Sequence, residues 1–453
     1  MSRNKKKIVL ATGDYLVMLA SLLLVVLIRY GVNELPERID QHMPVFAVIF
    51  LLWVTVFYVF ELYDLSAPFR HRNFYYAMTI NVGLAMVVFY LFPDALGITP
   101  RRNLLLIGAA VFLLFYGWRF LFNRIIDKAG WQQEVAIIGA GSHALHLAEH
   151  IAQRRRLGFR VAAIVCEPER TLPETFTKDT VARLGSIDEL RGYALNHRLN
   201  TVVISEEWLD SVYRELYNLI PLRLKFYQLT TFWEYFEESI PIYNARETWF
   251  LENLNRGPSR GYRLVKRLAD LAGVIVFSPL FVALAILTAL LVRISSPGPV
   301  LFSQIRVGRN GMLYRLYKFR SMRTDAERDG AQWAQENDPR ITAVGKILRA
   351  TRLDEIPQVF NVLKGEMSFV GPRPERPEFV SQLEKTIPHY QLRHLVKPGL
   401  TGWAQVKYRY GASEEDAATK LTYDLYYVKN VAPVLDIKIL LKTVMTILGR
   451  QGR

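Results

Sequence analysis

Cysteine is nearly missing: one residue, Cys166, stands in 453. A disulfide framework is therefore excluded, and a reducing compartment suits the chain. Acidic side chains are also scarce, 42 against 57 Lys and Arg, leaving a net charge of +15. That balance favours anionic partners such as phosphates, nucleotides or acidic headgroups. The first apolar run follows SRNKKK with no small-residue cleavage site, so a retained anchor is expected rather than a removed signal peptide. No internal repeat or low-complexity tract interrupts the sequence, and no ladder of charges crosses its apolar runs. What the chain has in quantity is hydrophobic residues, 51% of the total and unevenly placed. At about 150 residues per domain, two to four units are expected.

Four apolar runs come first, roughly 8–30, 44–63, 74–92 and 104–122, each long enough for a spanning helix. Lys and Arg orient them. Arg3, Lys5, Lys6 and Lys7 at the start, Arg70 and Arg72 in the second connection, and Arg119, Arg124 and Lys128 at the exit mark the richer side. Arg38, and then Arg101 with Arg102, mark the poorer one. Both ends of this block are thus expected in the cytoplasm. An anchor or scaffold explains it without a transport role.

A stretch over about 132–253 then reads as α/β. VAIIGAGSHALHLAEHI reads as strand, glycine turn and helix, with RVAAIV and TVVIS as further strands. Gly139, Gly141 and Ala144 give G-x-G-x-x-A, a turn that admits a pyrophosphate to a helix N-terminus. Glu167 follows the second strand, where a ribose-binding acid can lie. The plainer alternative, preferred here, is that the glycines only permit a tight strand-to-helix turn.

The segment Leu268–Val292 is apolar and long enough to span. Two features argue against crossing. Ser278-Pro279 lies near its middle, where proline removes a helical hydrogen bond. Basic residues also flank both ends, Arg263, Lys266 and Arg267 before and Arg293, Arg306 and Arg309 after, without the asymmetry of a span. A fifth spanning helix and a helix that enters and returns both stay open on these residues; only the second keeps the Arg-rich tail on the inner face. The backbone freed at the break then needs a partner, for which the Ser278 hydroxyl is a candidate.

Residues 301–352 hold eleven Lys and Arg, Arg328 among them, against five acids. YKFRSM alternates apolar residues with Lys318 and Arg320, as a strand with one cationic side does. TRLDEIPQVFNVLKG reads as a helix with Asp354 at a cap position, Pro357 in the first turn and Gly365 at the end. The bland account makes Asp354 a cap with Arg349 and Arg352 as surface partners. Yet Asp354 and Glu355 are adjacent carboxylates, which repel unless a cation or metal ion intervenes. Downstream, SFVGPRPERPEF holds Arg373 between prolines, a rigid presentation of a guanidinium. A nucleophilic carboxylate beside an ion-holding one suits phosphoryl chemistry.

SPG-PVLFSQIRVGRNG, YKFRSMRTDAE, RLDEIPQVFNVLKGEMSFVGPRPE, KPGLTGWAQV and YDLYYV stand in this order over about 190 residues. Together they make the tail resemble the bacterial sugar transferases, the monotopic polyprenyl-phosphate phosphoglycosyl transferases. The layout is similar to the large members that begin capsule or exopolysaccharide synthesis. The resemblance implies a four-helix transmembrane anchor over 1–130 and a Rossmann-like middle domain over 131–255. It also implies a transferase domain over 256–453, whose re-entrant helix at about 264–293 breaks at Ser278-Pro279. It implies a UDP-sugar donor, with UDP-glucose or UDP-galactose foremost, and an undecaprenyl phosphate acceptor at the inner membrane's cytoplasmic face. Asp354 is then the nucleophile, Glu355 the Mg²⁺ ligand, and Arg320, Arg352 and Arg373 the phosphate or nucleotide contacts, with Lys318 and Asp424 as further candidates. Ser321 stands where threonine is frequent, which keeps a hydroxyl. A homodimer is compatible with the layout.

Two rival functions stand beside this. A membrane-anchored NAD-dependent enzyme on nucleotide sugars needs a Tyr-x-x-x-Lys pair. Tyr262–Lys266 and Tyr314–Lys318 have the spacing but lie outside the Rossmann-like stretch. A non-catalytic scaffold for a polysaccharide machine needs no ionisable Asp354. Nucleic-acid binding lacks any module for it.

Overall fold

The computed structural model describes residues 3–60, 62–63, 71–91, 101–128, 132–154, 158–167, 181–254, 257–326, 338–408 and 413–448, with a few single positions between. Arg70 and Arg328 lie outside the described residues. The chain divides into two compact units, Met1–Leu229 and Thr230–Arg453.

In the first unit, the first two apolar runs belong to one bent helix, α1 (Arg3–Val59). The bend is Gly31, at φ 77° and ψ 177°, a conformation that glycine reaches without a Cβ clash. Tyr15 Oη donates to the Ala47 carbonyl at 3.4 Å. A straight helix would hold those residues about 48 Å apart, so the arms fold back on each other about Gly31. Two more helices join them, α2 (His71–Leu91) and α3 (Arg101–Lys128). Arg119 on α3 pairs with the buried Asp14 at 2.6 Å and donates to the Leu62 carbonyl at 2.8 Å. One guanidinium thereby ties the first arm, the end of the second and α3. Asn81 Nδ2 on α2 donates to the Trp53 carbonyl at 3.4 Å.

Lys6–Tyr58 and Leu104–Ile125 here, and Arg260–Ser295 in the second unit, are long and apolar enough to cross a membrane, and Phe74–Phe89 is a shorter apolar helix. The protein is a membrane protein. The exposed faces of these segments, among them Ile28, Leu51 and Leu113, are what a lipid-facing surface requires.

Five parallel strands follow: β1 (Gln133–Ile138), β2 (Phe159–Val165), β3 (Ala182–Leu184), β4 (Leu199–Ile204) and β5 (Lys225–Gln228), in spatial order β3-β2-β1-β4-β5. This is a doubly wound order, in which VAIIGAG, RVAAIV and TVVIS supply β1, β2 and β4. Near-continuous apolar strands bury Ala136, Ile138, Ala163 and Val202 between helical layers. Gly139 leaves β1 at φ +104°, and Gly141 is the N-cap of α4 (Ser142–Gln153), with Ala144 buried in its first turn. A Cβ on Gly141 would lie 2.8 Å from a carboxylate oxygen of Glu207. An acid thus stands against the turn that a pyrophosphate would approach.

The second unit begins at Thr230, ahead of the boundary near 255 that the sequence suggested. Packing explains it: Trp249, Phe250 and Leu254 share a core with Trp403, Leu421 and Leu425. Helix α5 (Arg260–Ser295) runs through Pro279. Proline leaves the Ile275 carbonyl without its N–H partner, and Ser278 Oγ donates to that carbonyl at 2.7 Å. Its buried residues lie on both sides of the proline, Asp270 and Val274 before and Thr288 and Val292 after. Val274 packs with Tyr314 and Leu316, and Val292 packs with Phe319. Both flanks therefore meet one strand of the antiparallel hairpin β6 (Leu301–Val307) and β7 (Leu313–Phe319). After it come α6 (Ala343–Thr351), a 3₁₀ segment Leu353–Gln358, and α7 (Val359–Lys364). The short parallel pair β8 (Ser368–Val370) and β9 (Gly399–Thr401) is followed by α8 (Glu414–Lys429) and α9 (Pro433–Leu448).

Ser278→Ala should lower thermal stability in detergent by about 1–3 kcal/mol, because it orphans the Ile275 carbonyl. Ser278→Thr, which keeps a hydroxyl, should recover most of that loss.

Candidate active site

The acidic pair lies on the 3₁₀ segment, not at a helix cap. Arg352 adopts φ 57° and closes α6 while opening Leu353–Gln358, and its side chain makes no capping bond. Asp354 is buried at 6% exposure on the segment's inner side. Gly365 ends α7 at φ 83°, as the sequence implied. Helix α7, which follows the segment, is tied to β7 by Asn361, fully buried, whose Nδ2 donates to the Arg315 carbonyl and to Glu366 at 2.7 Å each.

Three elements bring cations to the pair. Strand β7 delivers Lys318, whose ammonium stands 3.5 Å from Glu355 Oε1. The Pro-rich loop delivers Arg373, which donates to the same oxygen at 2.6 Å. Helix α6 delivers Arg349, whose Nε donates to Ser321 Oγ at 2.9 Å. The hydroxyl kept at position 321 therefore orients a cation. Arg373 can reach Glu355 because β8 and β9 approach without side chains between them. A Cβ on Gly371 would lie 2.3 Å from the Lys397 carbonyl, and one on Gly399 2.1 Å from the Gly371 nitrogen. Arg306 then holds the loop, donating to the Pro374 carbonyl at 3.2 Å and to Glu375 at 3.4 Å.

These charges separate the two carboxyls. Burial alone would raise Glu355, but Arg373 and Lys318 outweigh it and hold the carboxyl down to about 2. Asp354 goes the other way. Burial raises it and the Glu355 charge adds to that, against the pull of Lys318, Arg349 and Arg373. Lys318 is lowered by burial, with Arg373 adding to the effect. One carboxylate is thus permanently ionic and the other is poised, within a surround that carries more positive than negative charge.

Two sequence candidates lie elsewhere. Arg320 donates to the Ser296 carbonyl at 2.7 Å, to Ser296 Oγ at 2.8 Å and to the Pro297 carbonyl at 2.9 Å. It braces the turn after α5, where Gly298 at φ +116° lets it pass within 2.3 Å of a would-be Cβ. Asp424 is almost fully buried, paired with Arg393 at 2.7 Å. Burial pushes it up to about 6 against the pull of Arg393. Arg393 in turn donates to the Arg373 carbonyl at 2.9 Å, so Asp424 acts behind Arg373. Arg352 flanks the pair from the 3₁₀ start and its charge helps to lower Glu355. Sequence reasoning passed over Arg349, Arg306, Arg393 and Asn361 as site residues. For Arg349 the signal was its place in the last turn of α6, just ahead of the pair; the others carried none.

Among the described residues no three of His, Cys, Asp and Glu converge as a metal cage. The pair still suits Mg²⁺, which binds through one or two carboxylates, waters and substrate phosphate. Arg373 and Lys318 both approach Oε1 of Glu355.

A model of the bacterial sugar transferases matches residues 261–450, and one of a CoA-binding domain matches 69–209. Over 195 residues the chain is 49% identical to a UDP-N-acetylgalactosamine-undecaprenyl-phosphate N-acetylgalactosaminephosphotransferase of Aeromonas hydrophila, covering 43% of this chain and 46% of that protein. It is 33% identical over 350 residues to a UDP-glucose:undecaprenyl-phosphate glucose-1-phosphate transferase of Xanthomonas campestris pv. campestris, covering 74% and 70%. It is 30% identical over 365 residues to an undecaprenyl-phosphate galactose phosphotransferase of Salmonella typhimurium, covering 74% and 72%. The match thus spans less than half the length of the first relative and about 70% of the other two.

Arg373→Gln should release Glu355 toward the ordinary carboxylate range. A carboxyl lowered in the folded state contributes stability above its unfolded value, about 4.3, and loses it as pH falls through about 2. The wild-type advantage over the variant, about 2 kcal/mol at neutral pH, should therefore shrink between about pH 4 and pH 2 in thermal unfolding.

Proposed function

This chain belongs to the bacterial sugar transferase family, and from that premise we propose that it moves a sugar-1-phosphate from a UDP-sugar to undecaprenyl phosphate, releasing UMP. The observation that carries the reading is the buried Asp354 beside a Glu355 held ionic by Arg373 and Lys318. In the first half-reaction an Asp354 carboxylate oxygen forms a bond to the β-phosphorus. The bond from that phosphorus to the bridging oxygen breaks, and UMP leaves with the electron pair. In the second, a phosphate oxygen of undecaprenyl phosphate attacks the same phosphorus and Asp354 is regenerated. The lipid-linked diphosphosugar that results is the starting unit for a polysaccharide.

Each neighbouring residue has a defined task. Lys318, Arg349 and Arg373 oppose the effect of burial on Asp354 and so keep it ionisable. The same cations neutralise the incoming pyrophosphate, Arg373 with the planar fork that suits phosphate oxygens. Glu355 is the ligand for Mg²⁺, which when bound supplies Lewis acidity to the phosphoryl oxygens. Asp424, through Arg393, sets the backbone of Arg373.

The relatives' names carry N-acetylgalactosamine, glucose and galactose, so the donor's sugar is the variable to screen. For membrane placement, the packing of both flanks of Pro279 against β7 supports a helix that enters the bilayer and returns. The Lys/Arg distribution over 1–130 supports a cytoplasmic location for the ends of that block, and a returning α5 supports the cytoplasmic face of the inner membrane for the transferase domain. The NAD reading loses its first pair to structure: Tyr262 and Lys266 both bind Asp436 at 2.7 Å.

A screen of UDP-sugars with undecaprenyl phosphate and Mg²⁺ should release UMP for one sugar without NAD. Asp354→Asn should lose at least about 10³-fold in turnover while melting normally, and wild type with donor alone should carry a phosphosugar adduct on peptide 353–364. Because Asp354 must be ionised, the acid limb of kcat should lie above the ordinary aspartate range. Full turnover by the Asn variant would overturn Asp354 as the nucleophile, whereas no UMP release by wild type with any UDP-sugar would leave the scaffold reading.

A further inference from the structure

A second group of cations stands at the other end of α7. A Cβ on Gly365 would lie 3.4 Å from Lys397 Nζ and 3.5 Å from the guanidinium carbon of Arg267. Arg267 has a structural duty: it donates to the Val362 and Leu363 carbonyls at 2.6 and 2.7 Å, closing the last turn of α7. Lys397 has none. It is half-buried and, among the described residues, makes no side-chain hydrogen bond or ion pair. Burial, followed by the charges of Arg267 and Arg309, pushes its ammonium below the usual value. Arg309, on the turn between β6 and β7, buries its Nε without a partner. The acid that acts on Lys397 is Asp270, whose Oδ1 already accepts from Ser368 Oγ at 3.0 Å and the Phe369 amide at 3.1 Å.

Like charges gathered with one committed acid imply an anion, and the surroundings say which kind. Leu264 and Leu268 on α5, Met312 and Leu313 on the hairpin turn, and Leu363 on α7 are all exposed apolar residues on the same elements. Cations framed by exposed apolar side chains match the boundary between headgroups and acyl chains. Position argues against the reacting phosphates. From Asp354 to Gly365 the chain makes about four 3₁₀ steps and seven α-helical ones, roughly 18 Å. Reacting atoms must come within about 3–3.5 Å.

We propose that Arg267, Arg309 and Lys397 form a binding site for the phosphate of an anionic bilayer phospholipid, separate from the sites of donor and acceptor. The inference needs the chain to be a membrane protein but not the transferase chemistry. Native mass spectrometry of the full chain released from nanodiscs containing phosphatidylglycerol and phosphatidylcholine tests it. Lys397→Gln and Arg309→Gln should each weaken phosphatidylglycerol retention by about fivefold, with phosphatidylcholine retention unchanged. Should Lys397→Gln fail to fold, Arg309→Gln on the hairpin turn decides. Wild-type retention in the folded variants overturns the proposal. So does stoichiometric displacement of the retained phospholipid by undecaprenyl phosphate, which would give the cluster to the acceptor.

Discussion

The contact between Arg373 and Glu355 is the constraint around which the second unit is arranged. Two adjacent carboxylates, both withdrawn from water, are untenable without positive charge close by. Each cation arrives on a different element: β7 for Lys318, the β8-to-α8 region for Arg373, α6 for Arg349. The hairpin, the glycine contact between β8 and β9, and the Ser321 bond to Arg349 are therefore conditions for keeping Asp354 buried and still able to ionise. Behind them, Arg393 on the Arg373 carbonyl, with Asp424 as its counter-charge, prevents the loop from relaxing. Mutual dependence of this kind makes single removals expensive, since each leaves another charge buried alone.

Much of the site was legible because its chemistry is local in sequence. Asp354 and Glu355 are neighbours, and the prolines about Arg373 announce a rigid loop. Lys318 alternates with apolar residues as a strand requires. What could not be read was direction. Lys318 and Arg320 share one face by alternation, yet β7 ends at Phe319, and beyond it Arg320 turns to the backbone of Ser296 and Pro297. Asp424 sits in a motif that resembles the family's, but only the fold shows Arg393 between it and Arg373. The cap expected of Asp354 failed because Arg352, in a left-handed conformation, makes the turn itself.

The fold was legible where periodicity was strong and less so at its joints. Apolar strands separated by a glycine turn point to an α/β sheet, while its strand order is seen only in the fold. The two opening apolar runs were read as separate helices, since nothing local tells a loop from a continuous helix bent at one glycine. The stretch 230–254 looked like a continuation of the α/β region because its composition is similar. Its aromatic residues, Trp249 and Phe250, are committed to a core shared with Trp403, Leu421 and Leu425, more than a hundred positions later.

Asp270 has a consequence beyond its own hydrogen bonds. It sits on α5 and holds the Ser368 hydroxyl and the Phe369 amide on β8, five and four residues before Arg373, while Val292 at the other end of the same helix packs on Phe319, next to Lys318. Helix α5 is thereby tied to β7, which bears Lys318, and to β8, which leads into the loop of Arg373. A tilt or bend of α5 would therefore load the supports of Arg373 and Lys318 together, since one helix holds the approach to both.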